Sequence, residues 1–316
     1  MIKKYNIILL FFSSFIIFVS FISMDVAKDR KNYLRFFEDP TIQERFELGF
    51  SYYAKLLSMF FSPEISVVIT ILIIYLLLGL SWNLIVKRSY IEKFLLFIFV
   101  AFTICQYFLG TAIRNGLAAS LAIFSSVRIL QGKIWYFPLL LITPLLHYGA
   151  LLYVIVFLVV IITKKLNWSL FKSMLILTVP VMLFAFEPLF VHFINAFGLP
   201  SYYLGYIFDD FGKTERFRSY SMILFLICLF ALLNTPDSLE RRLVYSGFPF
   251  LIYYLLSDIS FFPRLLMPML FFAMALCINV YAKRIKTLIS PFIWYIFLIM
   301  LDFLAIFYAL NQYNLI

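Results

Sequence analysis

Six ionisable residues stand close to long apolar runs in this chain: Glu47, Arg114, His147, Asp258, Arg264 and Asp302. A charge near membrane depth is expensive, so each is a functional candidate by default. Arg114 stands in Gly110-Thr-Ala-Ile-Arg-Asn-Gly-Leu-Ala-Ala-Ser120, where an apolar run begins. A guanidinium beside helix N-terminal amides makes a local anion site. Arg264 follows Ser257-Asp-Ile-Ser-Phe-Phe-Pro263 and opens another run. A second arginine at equivalent depth would complete a phosphate clamp. The plainer readings are an arginine snorkelling to headgroups and a local Arg264–Asp258 pair. His147 falls after Pro144 and before Gly149 in an otherwise apolar stretch. Histidine titrates near neutrality and can move protons or donate to phosphate; a buried, hydrogen-bonded structural histidine is the alternative. Asp29, Tyr33 and Glu47 share one polar stretch. A carboxylate there can accept a hydroxyl proton if its position is fixed or its pKa raised; singly, each reads as a solvated acid. Asp302, inside an apolar run, reads as an interhelical hydrogen-bonding group, and His192 as a solvated residue.

The elements that must position these residues follow from composition. Apolar residues make up 64% of the chain, charged residues 13%, and mean hydropathy is +1.00. A soluble domain carries about 25% charged residues. Runs of about 20 apolar residues span a hydrocarbon core, and in lipid only helices or closed barrels pair every backbone group. The runs here are continuously apolar, which predicts helices. The expected fold is an all-α, polytopic transmembrane helical bundle of 10–11 spans, forming one integral membrane domain over 1–316. Spans are predicted near 6–23, 65–86, 93–110, 112–130, 134–147, 149–163, 170–187, 220–234, 243–257, 264–282 and 291–310. The start, Lys3-Lys4 before Ile7–Ile22, lacks a small-x-small cleavage site and reads as an uncleaved first span. The stretch 134–163 reads as a broken helix or tight hairpin around His147-Tyr148-Gly149.

Basic clusters occupy every second connection: Lys3-Lys4, Lys87-Arg88, Arg128 with Lys133, Lys164-Lys165, Arg241-Arg242, and Lys283-Arg284 with Lys286. The positive-inside rule places these, and the amino terminus, in the cytoplasm. The net charge of +10 is therefore a topology signal rather than a mark of nucleic-acid binding. Two longer connections, near 24–64 and 188–219, then fall on the outer face. The aromatic, apolar part Phe50–Phe61 of the first reads as an interfacial amphipathic helix. Any chemistry is expected on that face.

Cys105, Cys228 and Cys277 all lie in apolar runs, far apart in sequence, and read as inert packing rather than a disulfide framework or zinc site. With two histidines, a multi-histidine metal site is not expected, and no cofactor is called for. No Gly-x-x-x-x-Gly-Lys-Ser/Thr loop and no Gly-x-Ser-x-Gly elbow occurs.

Four stretches together resemble the EpsG family and related Wzy-type polysaccharide polymerases. Asp29-Arg-Lys-Asn-Tyr33 resembles the family's Asp-x-x-x-Tyr, and Phe46-Glu-Leu-Gly-Phe50 its Glu-Pro-Gly-Phe-like element. Ile113-Arg-Asn-Gly-Leu-Ala118 resembles Ile-Arg-Gln-x-Leu-Ala, followed after Gly132-Lys133 by a short span ending in Leu146-His147. Pro263-Arg264 opens a late span, as a late arginine does in the family. Leu48 replaces the proline, Asn115 the glutamine, and Tyr148-Gly149 follows the histidine where a small hydroxyl residue is often seen. The resemblance implies a glycosyltransferase membrane fold of the GT-C type in the bacterial inner membrane, active on the periplasmic face. It implies transfer of a polyprenyl-diphosphate-linked glycan to a second lipid-linked repeat unit, with polyprenyl diphosphate released, without metal or cofactor. Arg114 and Arg264 would bind the diphosphate. Glu47, His147 or Asp29 would serve as base. Tyr33, Asn115, Tyr148, Tyr202 and Tyr203 would contact substrate. Membrane lipids and a chain-length regulator are the further partners implied, and no nucleic acid. The competing readings are a lipid-linked oligosaccharide flippase, which would distribute charge along a central cavity, and a membrane glycan acyltransferase, which would place an arginine and a histidine in the first spans. Here the candidates gather at one rim, and no histidine precedes His147.

Overall fold

The computed structural model describes residues 30–39, 47–105, 112–185, 191–192, 215–257, 262–288 and 290–312. Among them there are helices and turns and no strand. In chain order the helices are α1 (Arg30–Glu38), α2 (Leu48–Ser58), α3 (Pro63–Ile85), α4 (Tyr90–Thr103), α5 (Ile113–Leu130), α6 (Phe137–Leu146), α7 (Gly149–Lys165), α8 (Leu170–Ala185), α9 (Glu215–Ala231), α10 (Leu239–Tyr245), α11 (Phe248–Ser257), α12 (Phe262–Leu288) and α13 (Pro291–Gln312). A short 3-10 turn, Ile134–Tyr136, leads into α6. α3 and α5 are long and apolar enough to cross a bilayer, and Ile134–Leu146, Leu266–Ala282 and Pro291–Phe307 are shorter apolar helices. The first expected span, 6–23, lies outside the described residues.

Two expectations change. The connection expected over 24–64 carries α1, which hydropathy did not mark, besides α2, which falls where a helix was expected over Phe50–Phe61. The span expected over 243–257 is two helices, because the chain turns at Ser246-Gly247.

The chain forms two compact units. One comprises residues up to Ala150 and from Tyr281 onward; the other is Leu151–Val280. In the first unit α3 packs on α5, α5 on α6, and α4 on α13, while α1 and α2 pack on each other and on α3. Local chemistry sets the helix ends. Ser62 caps α3 through the Ile65 amide, with Pro63 in the first helical position. Ser89 and Glu92 form a reciprocal capping box on α4. α5 stops at Gly132, whose φ of 83° only glycine adopts without strain. Lys133 N–H donates to Arg128 O and Gly132 N–H to Ile129 O, a Schellman stop that turns the chain back into α6.

The Glu92 carboxylate does a second job. Buried between helices, it accepts 2.9 Å from Trp294 Nε1 on the first turn of α13. α4 and α13 therefore run side by side in the same direction. The basic clusters that precede them, Lys87-Arg88 and Lys283 to Lys286, lie at one end of the unit. Trp82 Nε1, near the end of α3, donates 2.9 Å to Lys93 O of α4 at that same end. Asp302 lies two turns further along α13, buried near the Phe99 backbone of α4, and neither of its carboxylate oxygens has a hydrogen-bond partner among the described residues.

In the second unit α8 packs on α10 and α11. Asp237 takes a bidentate pair of bonds from Arg242 (2.9 and 2.7 Å) and one from Lys164 Nζ (2.9 Å). Buried Arg242 also reaches Ser173 Oγ at 3.4 Å, so one polar clip joins α7, α8 and α10. Cys228 and Cys277, distant in sequence, are neighbours here: Cys277 Sγ lies 3.8 Å from Cys228 O, and Cys228 Sγ 3.6 Å from Met274 Sδ.

Candidate active site at Glu47, Arg114 and His147

The α5–α6 hairpin brings Arg114 and His147 to one level. From Leu130 back to Arg114 the rise along α5 is about 24 Å, and from Ile134 to Leu146 it is about 20 Å. Pro144 stands inside α6, and the helix ends three residues later at His147, whose backbone is extended (φ −161°, ψ 123°). Ala150 N–H then bonds to His147 O as α7 begins. The break expected around His147-Tyr148-Gly149 is thus present, and it leaves the His147 ring at a chain corner. The ring is nonetheless buried, with 3% of the side chain exposed.

Glu47 reaches this corner from the start of α2. It is the N-cap residue, with φ −67° and ψ 146°, but its side chain makes no cap bond. The carboxylate turns instead to the hairpin. Oε1 accepts from His147 Nδ1 at 2.8 Å and from the Tyr148 backbone N–H at 3.1 Å. Oε2 lies 2.8 Å from Arg114 Nη1. A carboxylate with no exposed surface is tolerated only when its charge is matched; Glu47 has two hydrogen-bond partners on Oε1 and the Arg114 cation beside Oε2. Because a carboxylate only accepts, Nδ1 carries a proton, and in the neutral form of the ring Nε2 is the acceptor nitrogen.

Close backbone approach makes the reach possible. A Cβ on Gly49 would fall 2.7 Å from Leu145 O and 2.8 Å from Leu145 C and Cβ. These are main-chain atoms or anchored to the main chain, so α2 can sit this close to α6 only with glycine there. Phe50 then buries its ring against Tyr33, Phe36 and Phe37 of α1, with centroids 5.6–6.4 Å apart. Tyr53 Oη lies 2.9 Å from Thr70 Oγ1 of α3 and holds the other end of α2.

The structure brings together Glu47, Arg114, His147 and Tyr148, and it sets Asn115 beside Arg114 on the first turn of α5. Asn115 is buried, and its amide nitrogen has no acceptor among the described residues. Tyr33 packs its ring in the α1–α2 aromatic cluster. Arg264 lies at the start of α12 in the other unit, its side chain outside the description. Asp29, Tyr202, Tyr203 and Asp258 lie outside the described residues. His192 is helical and exposed. The sequence offers Glu47, Arg114 and His147 as candidates without showing that Glu47 joins the other two, and it marks Gly49 only as part of the Glu-Pro-Gly-Phe-like element. The glycine two residues after a buried-site acid was the available signal. No cluster of three or more His, Cys, Asp or Glu suited to a metal occurs among the described residues.

No curated protein and no solved structure matches the chain. The EpsG family model matches residues 5–315, nearly the whole length. This chain, with its buried glutamate bridging an arginine and a histidine, belongs to the EpsG family, a family akin to the Wzy-type polysaccharide polymerases.

Proposed function

We propose that this protein is the polymerase of a surface polysaccharide, acting on polyprenyl-diphosphate-linked repeat units at the outer face of the bacterial inner membrane. The observation that carries the reading is the Glu47 bridge between Arg114 and His147. It joins the two groups that the chemistry needs, a cation for a leaving diphosphate and a base for an attacking hydroxyl. In the reaction the acceptor sugar hydroxyl bonds to the anomeric carbon of the donor glycan. The bond from that carbon to the diphosphate oxygen breaks, and the hydroxyl proton passes to His147 Nε2. Glu47 is a positioning residue: it fixes the ring's tautomer and steadies the imidazolium that forms, as a buried carboxylate does for other histidine bases. Such a base supplies about 10²–10⁴-fold in rate. Arg114, with the first amides of α5 and the Asn115 amide, faces the charge that develops on the departing diphosphate. Of three expected bases, this geometry favours His147.

Orientation supports the same reading. The site lies where α5 starts and α6 stops. Arg128 lies in the last turn of α5, about 21 Å from Arg114 along the helix, most of one hydrocarbon thickness. With the basic end in the cytoplasm, the site faces outward.

The test is a strain lacking this chain, complemented with wild type or His147→Ala, with surface glycan resolved on a gel. The expected result is single repeat units from the deletion and a ladder restored by wild type alone. Loss of single units as well would indicate a transporter. A ladder lacking only a substituent would indicate an acyltransferase. A full ladder from His147→Ala would remove this site from the reading.

A further inference from the structure

We infer that the outward face of α2, together with the adjoining face of α6, is the track that holds the isoprenoid chain of the lipid-linked substrate; the inference rests on the reading of Arg114 as the diphosphate cation. α2 has two faces of opposite character. Phe50, Ser51 and Ala54 are buried. Leu48, Tyr52 and Leu56, spaced four residues apart, are 65, 67 and 56% exposed, and Met59 and Phe60 prolong the stripe past the helix end. Lys55 is the sole charge in the helix. On α6, Leu141 and Leu145 are half exposed as well, and the two helices meet where Gly49 touches Leu145.

What marks this surface for an isoprenoid is where it starts. Leu48 directly follows Glu47, whose carboxylate is 2.8 Å from Arg114 and from His147. A diphosphate held at Arg114 has its tail leaving at the origin of an apolar stripe that runs about 16 Å along α2 and carries one exposed charge, Lys55, in its last turn. Bulk lipid would cover any apolar face, but it has no headgroup requirement for a stripe that begins beside an arginine paired with a buried carboxylate. A track anchored in this way also gives the tail binding energy that the reacting atoms do not need for contact. Chain length in the tail should therefore raise affinity until the stripe is filled, and do so through Leu48, Tyr52 and Leu56.

The test uses the full-length protein in lipid nanodiscs and a photoreactive isoprenyl diphosphate carrying its diazirine in the second or third isoprene unit. The expected result is labelling concentrated on residues 48–60 and on Leu141–Leu145, removed by excess unlabelled isoprenyl diphosphate and lost in Arg114→Ala. Leu56→Ser should weaken binding of a long-chain isoprenyl diphosphate about tenfold, while a single-isoprene diphosphate binds as to wild type. Competed, Arg114-dependent labelling on other helices would overturn the track and leave the diphosphate reading standing. Labelling that excess diphosphate does not remove would make the face an ordinary lipid contact and overturn the track. Absence of any Arg114-dependent binding, for long and short chains alike, would overturn the diphosphate reading and the track with it. The competition is read on the wild-type protein, and thermal unfolding of Arg114→Ala measured beside its labelling separates lost binding from lost fold.

Discussion

At the scale of single residues, the site depends on one carboxylate serving three partners. Glu47→Gln keeps the shape and one acceptor oxygen, but it sets an amide against either Arg114 or His147. It removes the negative charge that, in the proposed reaction, steadies the imidazolium. The expected outcome is a loss of 10²-fold or more in turnover with a smaller change in substrate affinity, read as initial rates of chain extension over a range of lipid-linked substrate. An affinity change with turnover intact would make Glu47 a binding residue instead. Arg114→Ala should cost stability as well as activity, about 3–5 kcal/mol, because it leaves Glu47 buried with one charged partner missing. Arg114→Lys keeps the charge and should recover most of the stability but little of the rate, since an ammonium cannot reproduce the planar fork. Thermal unfolding in detergent measured beside activity separates the two effects. Residue types alone nominated Arg114, His147 and Glu47, since charged groups among apolar runs stand out. They could not reveal that Glu47 is spoken for by the other two, because that contact closes a loop of 100 residues.

The elements show where sequence reasoning reaches and where it stops. Hydropathy located the apolar helices, because lipid demands long runs with few charges. It did not reveal α1, whose Arg30–Glu38 sequence is polar on one side and buries Tyr33, Phe36 and Phe37 on the other. Nor did it reveal that α2 docks on α6 through Gly49. That docking is open to direct test: Gly49→Ala places a methyl group against the Leu145 backbone, which cannot rotate away. A cost of about 1–3 kcal/mol is expected, with activity falling as Glu47 is drawn off His147. Unchanged melting and activity would contradict the docking. The Asp237 clip gives a pH-dependent prediction. Bonds from Arg242, aided by Lys164, hold this carboxyl down at about 2, against an ordinary value of 3.8. Its stabilisation is therefore present above the ordinary value and lost as pH falls through about 2. Since Asp237 is partly exposed, Asp237→Asn should cost about 1 kcal/mol. The melting gap to wild type should be the same at pH 7 and pH 5, and a gap that closes by pH 5 would contradict the clip.

For the whole molecule, charge patterning carries the expected topology, because orientation is an electrostatic property of the connections, which sequence displays directly. The Trp294–Glu92 bond, which makes α4 and α13 parallel, agrees with it: both helices follow basic connections. Sequence could not show the two compact units, since that division depends on contacts between distant segments. The proposed orientation predicts opposite labelling at the two ends of the first unit. With Cys105, Cys228 and Cys277 replaced by alanine, an impermeant thiol reagent added to intact cells should label Met59→Cys and spare Gln131→Cys. The reverse pattern would place the site in the cytoplasm. The most direct test of the central claim is reconstitution. Purified protein in liposomes receives lipid-linked repeat units as the only sugar source, and both glycan length and released polyprenyl diphosphate are followed. The proposed function predicts products of two and more units, one polyprenyl diphosphate released per linkage formed, and neither from His147→Ala. Substrate that stays a single unit with wild-type protein, or equal extension by His147→Ala, would contradict it.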